Sequence, residues 1–171
     1  QAVQSGDSDC VLALGFEQME KGALGSKWTD RTNPMDKHVE VMNRSQGFNQ
    51  APPTAQMFGG AGREYRWKYG TRRETFAKIA SKARTHASRN PLALFNNPLT
   101  VEEVMASEEV FDPLTRFQCC PPTCGAAAAI IASEDFVRRK GISAAVRILA
   151  QQMTTDVNSV FSDSMIQMIG Y

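Results

Sequence analysis

The sequence predicts an α/β fold in which a mostly helical subdomain is inserted between strands of a sheet. Two apolar runs of strand length, Asp9-Cys10-Val11-Leu12-Ala13-Leu14-Gly15 and Ala126-Ala127-Ala128-Ala129-Ile130-Ile131-Ala132, are each bounded by breakers, as buried strands are. Between them lies a long stretch with helical periodicity and two capping-box motifs. After them come a short helix pattern and a third apolar run. Strand, helical insertion, strand, helix, strand is the order of an α/β protein with an insertion.

The first run ends at Gly15, and its near-continuous apolarity suits a parallel strand covered on both faces. Residues from about Glu17 to Gln56 mix charges, Gly, Asn and Pro with little periodicity, apart from a weak helical hint from His38 to Met42. They read as an excursion away from the sheet. A first helix is expected from about Gln56 to Tyr69, closed by Gly70 at the position that favours a left-handed residue. A second opens with the capping-box spacing Thr71-x-x-Glu74, repeats Phe76, Ile79, Ala80, Ala83 and Ala87 on one face, and stops before Asn90-Pro91. The third, Val101 to Ala106, follows a second box, Thr100-x-x-Glu103, with Leu99 and Val104 placed for a hydrophobic staple.

Gln118-Cys119-Cys120-Pro121-Pro122-Thr123-Cys124-Gly125 is a stiff loop, because two prolines fix φ and donate no hydrogen bond. The alanine-rich run behind it needs close packing to stand as a strand, since alanine is a weak strand former. Ser133 then caps a helix with Glu134 and Asp135 in its first turn, Arg138, Arg139 and Lys140 in its last, and Gly141 beyond. Ala145 to Gln151 reads as a further strand.

A chain of 171 residues suffices for one domain with a substantial core. A net charge of +1 argues against a dedicated nucleic-acid binder. No apolar stretch reaches the roughly 18 residues that span a bilayer. Gln1 to Gly6 reads as the last turn of a helix, and Met165 to Tyr171 stops inside an amphipathic pattern, so a piece of a longer protein is expected.

The chemistry-bearing residues admit three readings. A cysteine nucleophile at Cys119, Cys120 or Cys124 needs a base or a positive field, and the two histidines, His38 and His86, lie in the insertion. Small apolar cysteines account for the loop better. Metal ligation fails on spacing, because Cys119 and Cys120 are adjacent and no Cys-x-x-Cys occurs. Nucleotide binding has two candidates. Gly59-Gly60-x-Gly62 follows no strand and lacks the fingerprint spacing. A basic run holds Arg63, Arg66, Lys68, Arg72, Arg73, Lys78, Lys82, Arg84 and Arg89 against Glu64 and Glu74, with Tyr65, Trp67 and Tyr69 among them. It could hold phosphates and stack a base. A solvated cationic face is the plainer account on sequence alone.

Taken in order, Cys10-Val11-Leu12-Ala13-Leu14-Gly15-Phe16-Glu17, Thr29-Asp30-Arg31-Thr32, Asp36-Lys37-His38-Val39, Gln56-Met57-Phe58-Gly59, Phe76-Ala77-Lys78-Ile79, Val104-Met105-Ala106-Ser107, Gln118-Cys119-Cys120-Pro121 and Gly125-Ala126-Ala127-Ala128-Ala129 closely resemble the thiolase of the sterol carrier protein X type. The resemblance implies a partial thiolase-like α/β fold. Residues 1–21 would end the first thiolase half, 22–115 form the inserted loop domain, 116–144 supply the closing strand and helix, and 145–171 begin the second half. It implies a 3-oxoacyl-CoA thiolase, an acyltransferase of fatty-acid or sterol side-chain breakdown, peroxisomal and homodimeric when entire. Coenzyme A and acyl-CoA are its substrates, with no covalently bound cofactor, no metal, no nucleic acid and no membrane span. No residue of this stretch matches the family's catalytic cysteines or histidines, so the stretch alone is expected to be inactive. By resemblance, Gln56, Met57, Cys119 and Cys120 would line the pantetheine path. The sequence departs from the family at Cys124, where aspartate is usual, and at Pro122, where a small polar residue is usual.

Overall fold

The computed structural model describes residues 1–20, 22, 28–143 and 146–170. In chain order the elements are β1 (Cys10–Glu17), α1 (Asp36–Gln46), α2 (Pro53–Tyr69), α3 (Arg73–Ala87), α4 (Val101–Ala106), β2 (Glu109–Phe111), β3 (Leu114–Thr115), β4 (Gly125–Ala132), α5 (Glu134–Arg139) and α6 (Met165–Met168). Short 3₁₀ turns occupy Arg116–Gln118 and Asn158–Phe161. The chain forms two compact units, Gln1–Lys27 with Pro121–Thr154, and Trp28–Cys120 with Thr155–Tyr171.

In the first unit β1 pairs with β4 along its whole length, from Cys10 opposite Ala132 to Glu17 opposite Gly125. The parallel pairing expected of such a continuous apolar run is not what forms: the pair is antiparallel. An apolar run reports that both faces of a strand seek cover and carries no information on direction. Here Leu12, Leu14, Phe16 and Ile130 are exposed. The small residues of β4 face the large ones of β1, with Ala128 opposite Leu14 and Ala126 opposite Phe16.

Ser133 caps α5 as expected, its Oγ accepting from the Phe136 amide at 3.1 Å. The same hydroxyl donates to Asp9 Oδ1 at 3.2 Å, and Arg139 donates to Asp9 Oδ2 at 2.6 Å. Asp9 thus fastens α5 to the start of β1. The strand expected from Ala145 to Gln151 does not form. Val146–Gln151 has no regular structure, and Ala145 lies outside the described residues. A strand exists through its ladder, and no neighbouring strand pairs with this segment among the described residues.

In the second unit Val41 and Met42 of α1, Ala61 of α2, and Met165 and Met168 of α6 form one apolar core, with Met57 and Phe161 against it. Helix α2 starts at Pro53, a good first helical residue because its missing N–H is unpaired there anyway. The glycines therefore fall inside α2, where each costs about 1 kcal/mol relative to alanine. Close approach explains them. A Cβ on Gly59 would meet Phe111 Cδ1 at 2.6 Å and the Phe111 carbonyl oxygen at 3.0 Å, and one on Gly60 would run into the Gln46 side-chain amide. They form a packing seam rather than a phosphate loop.

Gly70 closes α2 in the left-handed conformation, with φ 65°. The capping box expected at Thr71 is displaced: α3 begins at Arg73, with Arg72 in the cap position and no side-chain cap. The left-handed Gly70 is followed by an extended Arg72, so Glu74 falls one position too early to reach back. At Thr100 the box forms in full, with Glu103 N donating to Thr100 Oγ1 at 3.1 Å and Thr100 N donating to Glu103 Oε2 at 2.7 Å.

Candidate functional site

Four residues carry the sequence expectation of a ligand path, and all four lie in the second unit. Gln56 stands in the first turn of α2 and is buried, 1% exposed. Its amide is engaged through both nitrogen and oxygen. Nε2 donates to Asn49 O at 3.1 Å and Ala51 O at 2.6 Å, while Oε1 accepts from Asn49 N at 3.1 Å. Its carbonyl accepts from Gln46 Nε2 at 2.9 Å. Gln56 therefore shapes the 49–51 loop through its side-chain amide. Met57 packs half-buried against the core of α1 and α6. The neighbouring Phe58 is exposed and apolar.

Cys119 and Cys120 follow the Arg116–Gln118 turn, which packs against α3 and α4. The turn is built on the buried Thr115, whose hydroxyl donates to Val104 O at 2.8 Å and whose amide donates to Gln118 Oε1 at 2.8 Å. Cys119 N then donates to Arg116 O at 3.2 Å, and its thiol donates to Thr115 O at 3.6 Å. Burial, with the Cys120 thiol adding to it, pushes the Cys119 thiol above its ordinary range. A raised thiol is a poor nucleophile at neutral pH. Cys120 is exposed. No hydrogen bond or ion pair among the described residues joins Gln56 or Met57 to either cysteine.

His38 is held elsewhere, its Nε2 at 3.2 Å from Asp156 Oδ2 and its ring edge-on to Phe161 at 5.3 Å. His86 lies in the last turn of α3. Neither is bonded to a cysteine. Among the described residues no group of three His, Cys, Asp or Glu is placed to hold a metal, and no helix is long and apolar enough to cross a membrane.

The basic run is divided by the fold. Arg84 lies over the Phe95 ring at 4.6 Å and the Phe117 ring at 5.9 Å, which places a cation beside the turn that carries the cysteines. Arg63, Arg66, Arg72 and Arg73 instead gather at the corner between α2 and α3. Sequence could count these cations but not sort them, because the sorting depends on where α2 ends.

Cys124, in the first unit, stands in for the family's aspartate. Its sulfur accepts from Met19 N at 3.3 Å and lies 3.9 Å from Met19 O. A thiol there still ties the loop after β1 to the loop before β4.

No family model matches the sequence. The chain is 54% identical over its whole length to sterol carrier protein 2 of Gallus gallus, of which it spans 32%. It is 34% identical over 137 residues, 80% of the chain, to an acetyl-CoA acetyltransferase of Methanothermobacter thermautotrophicus, covering 33% of that protein. Among solved structures, an Ltp2-ChsH2(DUF35) aldolase superposes on 80% of the chain with a TM-score of 0.62 and 25% identity, covering 34% of that structure's chain. The chain spans about a third of the length of these relatives. With β1 paired to β4 and these relatives along its length, the chain is a stretch of thiolase-like fold and resembles, over its whole length, the thiolase of the sterol carrier type.

Proposed function

We propose that the whole protein is a 3-oxoacyl-CoA thiolase, an acetyl- or propanoyl-CoA C-acyltransferase of fatty-acid or sterol side-chain β-oxidation. In this reading the second unit is its coenzyme A-binding loop domain. The similarity to sterol carrier protein 2 along the entire chain, joined to similarity with an acetyl-CoA acetyltransferase over most of it, carries the reading. The chemistry of the loop agrees with it. Cys119 offers a neutral, half-buried sulfur, Cys120 an exposed one, and Phe58 an exposed apolar ring. Such weakly polar surfaces suit a pantetheine arm, because ligand pockets are mostly apolar with few orienting groups. Holding the arm fixed would raise the rate by positioning the thioester for groups supplied by the rest of the enzyme. In this reading Arg84, whose guanidinium lies over the Phe117 ring of the same turn, would meet a phosphate of the bound cofactor-substrate. A homodimer in the peroxisome completes the reading.

A rival reading is a non-catalytic thiolase-like module that binds coenzyme A or a protein partner, and the carrier function in the avian relative's name favours keeping it. The two separate on the intact protein. Saturating coenzyme A is expected to slow alkylation of Cys119 and Cys120 several-fold while Cys10 and Cys124 react as before. Equal rates with and without coenzyme A would remove the loop-domain reading. Thiolytic cleavage of acetoacetyl-CoA by the intact protein, with none by the 171-residue chain alone, selects the enzyme over the module.

A further inference from the structure

Between Glu74 and Glu102 the chain carries no acidic residue, and it carries Lys78, Lys82, Arg84, His86 and Arg89. The fold sets one of these apart. Arg84 is held over the Phe95 ring at 4.6 Å and the Phe117 ring at 5.9 Å. Lys78, Lys82 and His86 recur every four residues along α3, so they share one side of the helix, and Arg89 follows just past its end. All four are exposed, and none forms an ion pair among the described residues. Ile79, one turn before Lys82, is 62% exposed. The row leads into the loop Asn90-Pro91-Leu92-Ala93-Leu94-Phe95, where Leu92 is 91% exposed and Leu94 63%. That loop is braced. Leu92 N donates to Asn90 Oδ1 at 3.0 Å, Ala93 N donates to Asn90 O at 3.0 Å, and Arg84 covers Phe95. Farther on, Leu99 O accepts from Ser81 Oγ at 2.7 Å, which ties the returning chain to α3.

We infer that this side of the second unit docks on an anionic lipid bilayer, with Lys78, Lys82 and Arg89 against the headgroups and Leu92 and Leu94 at the acyl boundary. A single exposed leucine is ordinary on a protein surface. Two in one braced loop, at the end of a cationic row that no acid neutralises, call for a partner that answers both. An anionic membrane surface does so, because its charge attracts lysine and arginine while its acyl boundary takes up apolar side chains. Two leucines and three cations make a shallow, reversible contact and no span. The inference uses neither Cys119 nor Cys120 and does not depend on the enzyme reading.

The intact protein is sedimented with vesicles of phosphatidylcholine alone and of phosphatidylcholine with phosphatidylserine in equal parts. Binding is expected only to the anionic vesicles, and it should weaken as salt is raised, because exposed charges are screened. Lys78→Gln combined with Lys82→Gln is expected to weaken it about thirtyfold and to flatten the salt dependence. Leu92→Asn combined with Leu94→Asn is expected to weaken it about tenfold and to leave the salt dependence as it was. All four positions are exposed, and circular dichroism checks that the variants keep their fold. No binding to the anionic vesicles overturns the inference. So does equal binding to the neutral ones, or binding that either pair of changes leaves at its original strength. Polyglutamate bound as tightly as the anionic vesicles would assign the row to an acidic protein and overturn the lipid reading as well.

Discussion

Glu64 on α2 holds the start of α6 through Ser164: Glu64 Oε1 accepts from the Ser164 hydroxyl at 2.7 Å. Its second oxygen accepts from Met165 N at 2.6 Å and Ile166 N at 3.3 Å. One carboxylate therefore satisfies three donors at a helix start some hundred positions later in the chain. Glu64→Ala is expected to destabilise the second unit by about 2 kcal/mol, since hydrogen bonds to a charged acceptor are worth about 1.5–3 kcal/mol each and water replaces part of them. Glu64→Gln, which keeps one acceptor oxygen, should lose less. Urea midpoints of the two variants check the order.

The glycine seam makes a second prediction. Gly59→Ala places a methyl against the Phe111 backbone oxygen, which cannot turn aside as a side chain can. A loss of about 1–3 kcal/mol is expected from overpacking, against the gain that alanine brings to an exposed helix. Thermal melts of the variant decide whether the seam is as tight as its distances imply.

Gln56 offers a test of what its burial means. Gln56→Ala leaves the Asn49 amide and the Asn49 and Ala51 carbonyls without their partner, and a cost of about 3 kcal/mol is expected. Coenzyme A protection of Cys120, measured where the variant is still folded, should fall by less than twofold. A large loss of protection with unchanged stability would make Gln56 a ligand contact instead of a brace.

Asp9 gives the first unit a pH dependence. The Arg139 hydrogen bond, then the Ser133 hydroxyl and the Arg139 charge, lower its carboxyl below the usual value. A depressed acid contributes stability that is fully present above its unfolded value of about 4 and is lost as the pH falls through the folded one. Arg139→Gln should move the Asp9 titration upward, read by carbon-13 NMR of its carboxyl, and flatten the acid limb of the stability curve.

Cys119 and Cys120 are expected to part in reactivity. The raised thiol of Cys119 and its hydrogen bond to Thr115 O should make it the slower of the two toward iodoacetamide at pH 8. Mass-spectrometric labelling rates check this, and faster modification of Cys119 would show that the turn on Thr115 opens.

Much of the architecture is legible in the residues that act locally. Thr100 and Glu103, Ser133 and Phe136, and Gly70 each do what their spacing says, because a cap needs only its own helix. What failed depended on more than the spacing of the residues involved. Thr71 has the right spacing for a cap, yet the turn set by Gly70 starts α3 at Arg73 instead. Val146 to Gln151 has strand composition but no partner strand among the described residues. The β2–β3 hairpin, of three and two residues around Asp112-Pro113, is too short to show a period of two. At the site, the weak polarity of Cys119 and Cys120 was readable. The burial of Gln56 was not, because it follows from the fold of residues 49–51.

The pairing of β1 with β4 also fixes an order of events during synthesis. Cys10 meets Ala132 only after every residue of Trp28–Cys120 has been made, so β1 waits for β4 with no short loop to bring it. Leu12, Leu14 and Phe16 then wait for that partner while α2, α3 and α4, which rest on local contacts, form first. Such a strand is a template for a second nascent chain, which makes the interval before β4 appears the moment of greatest aggregation hazard and of greatest demand for a chaperone.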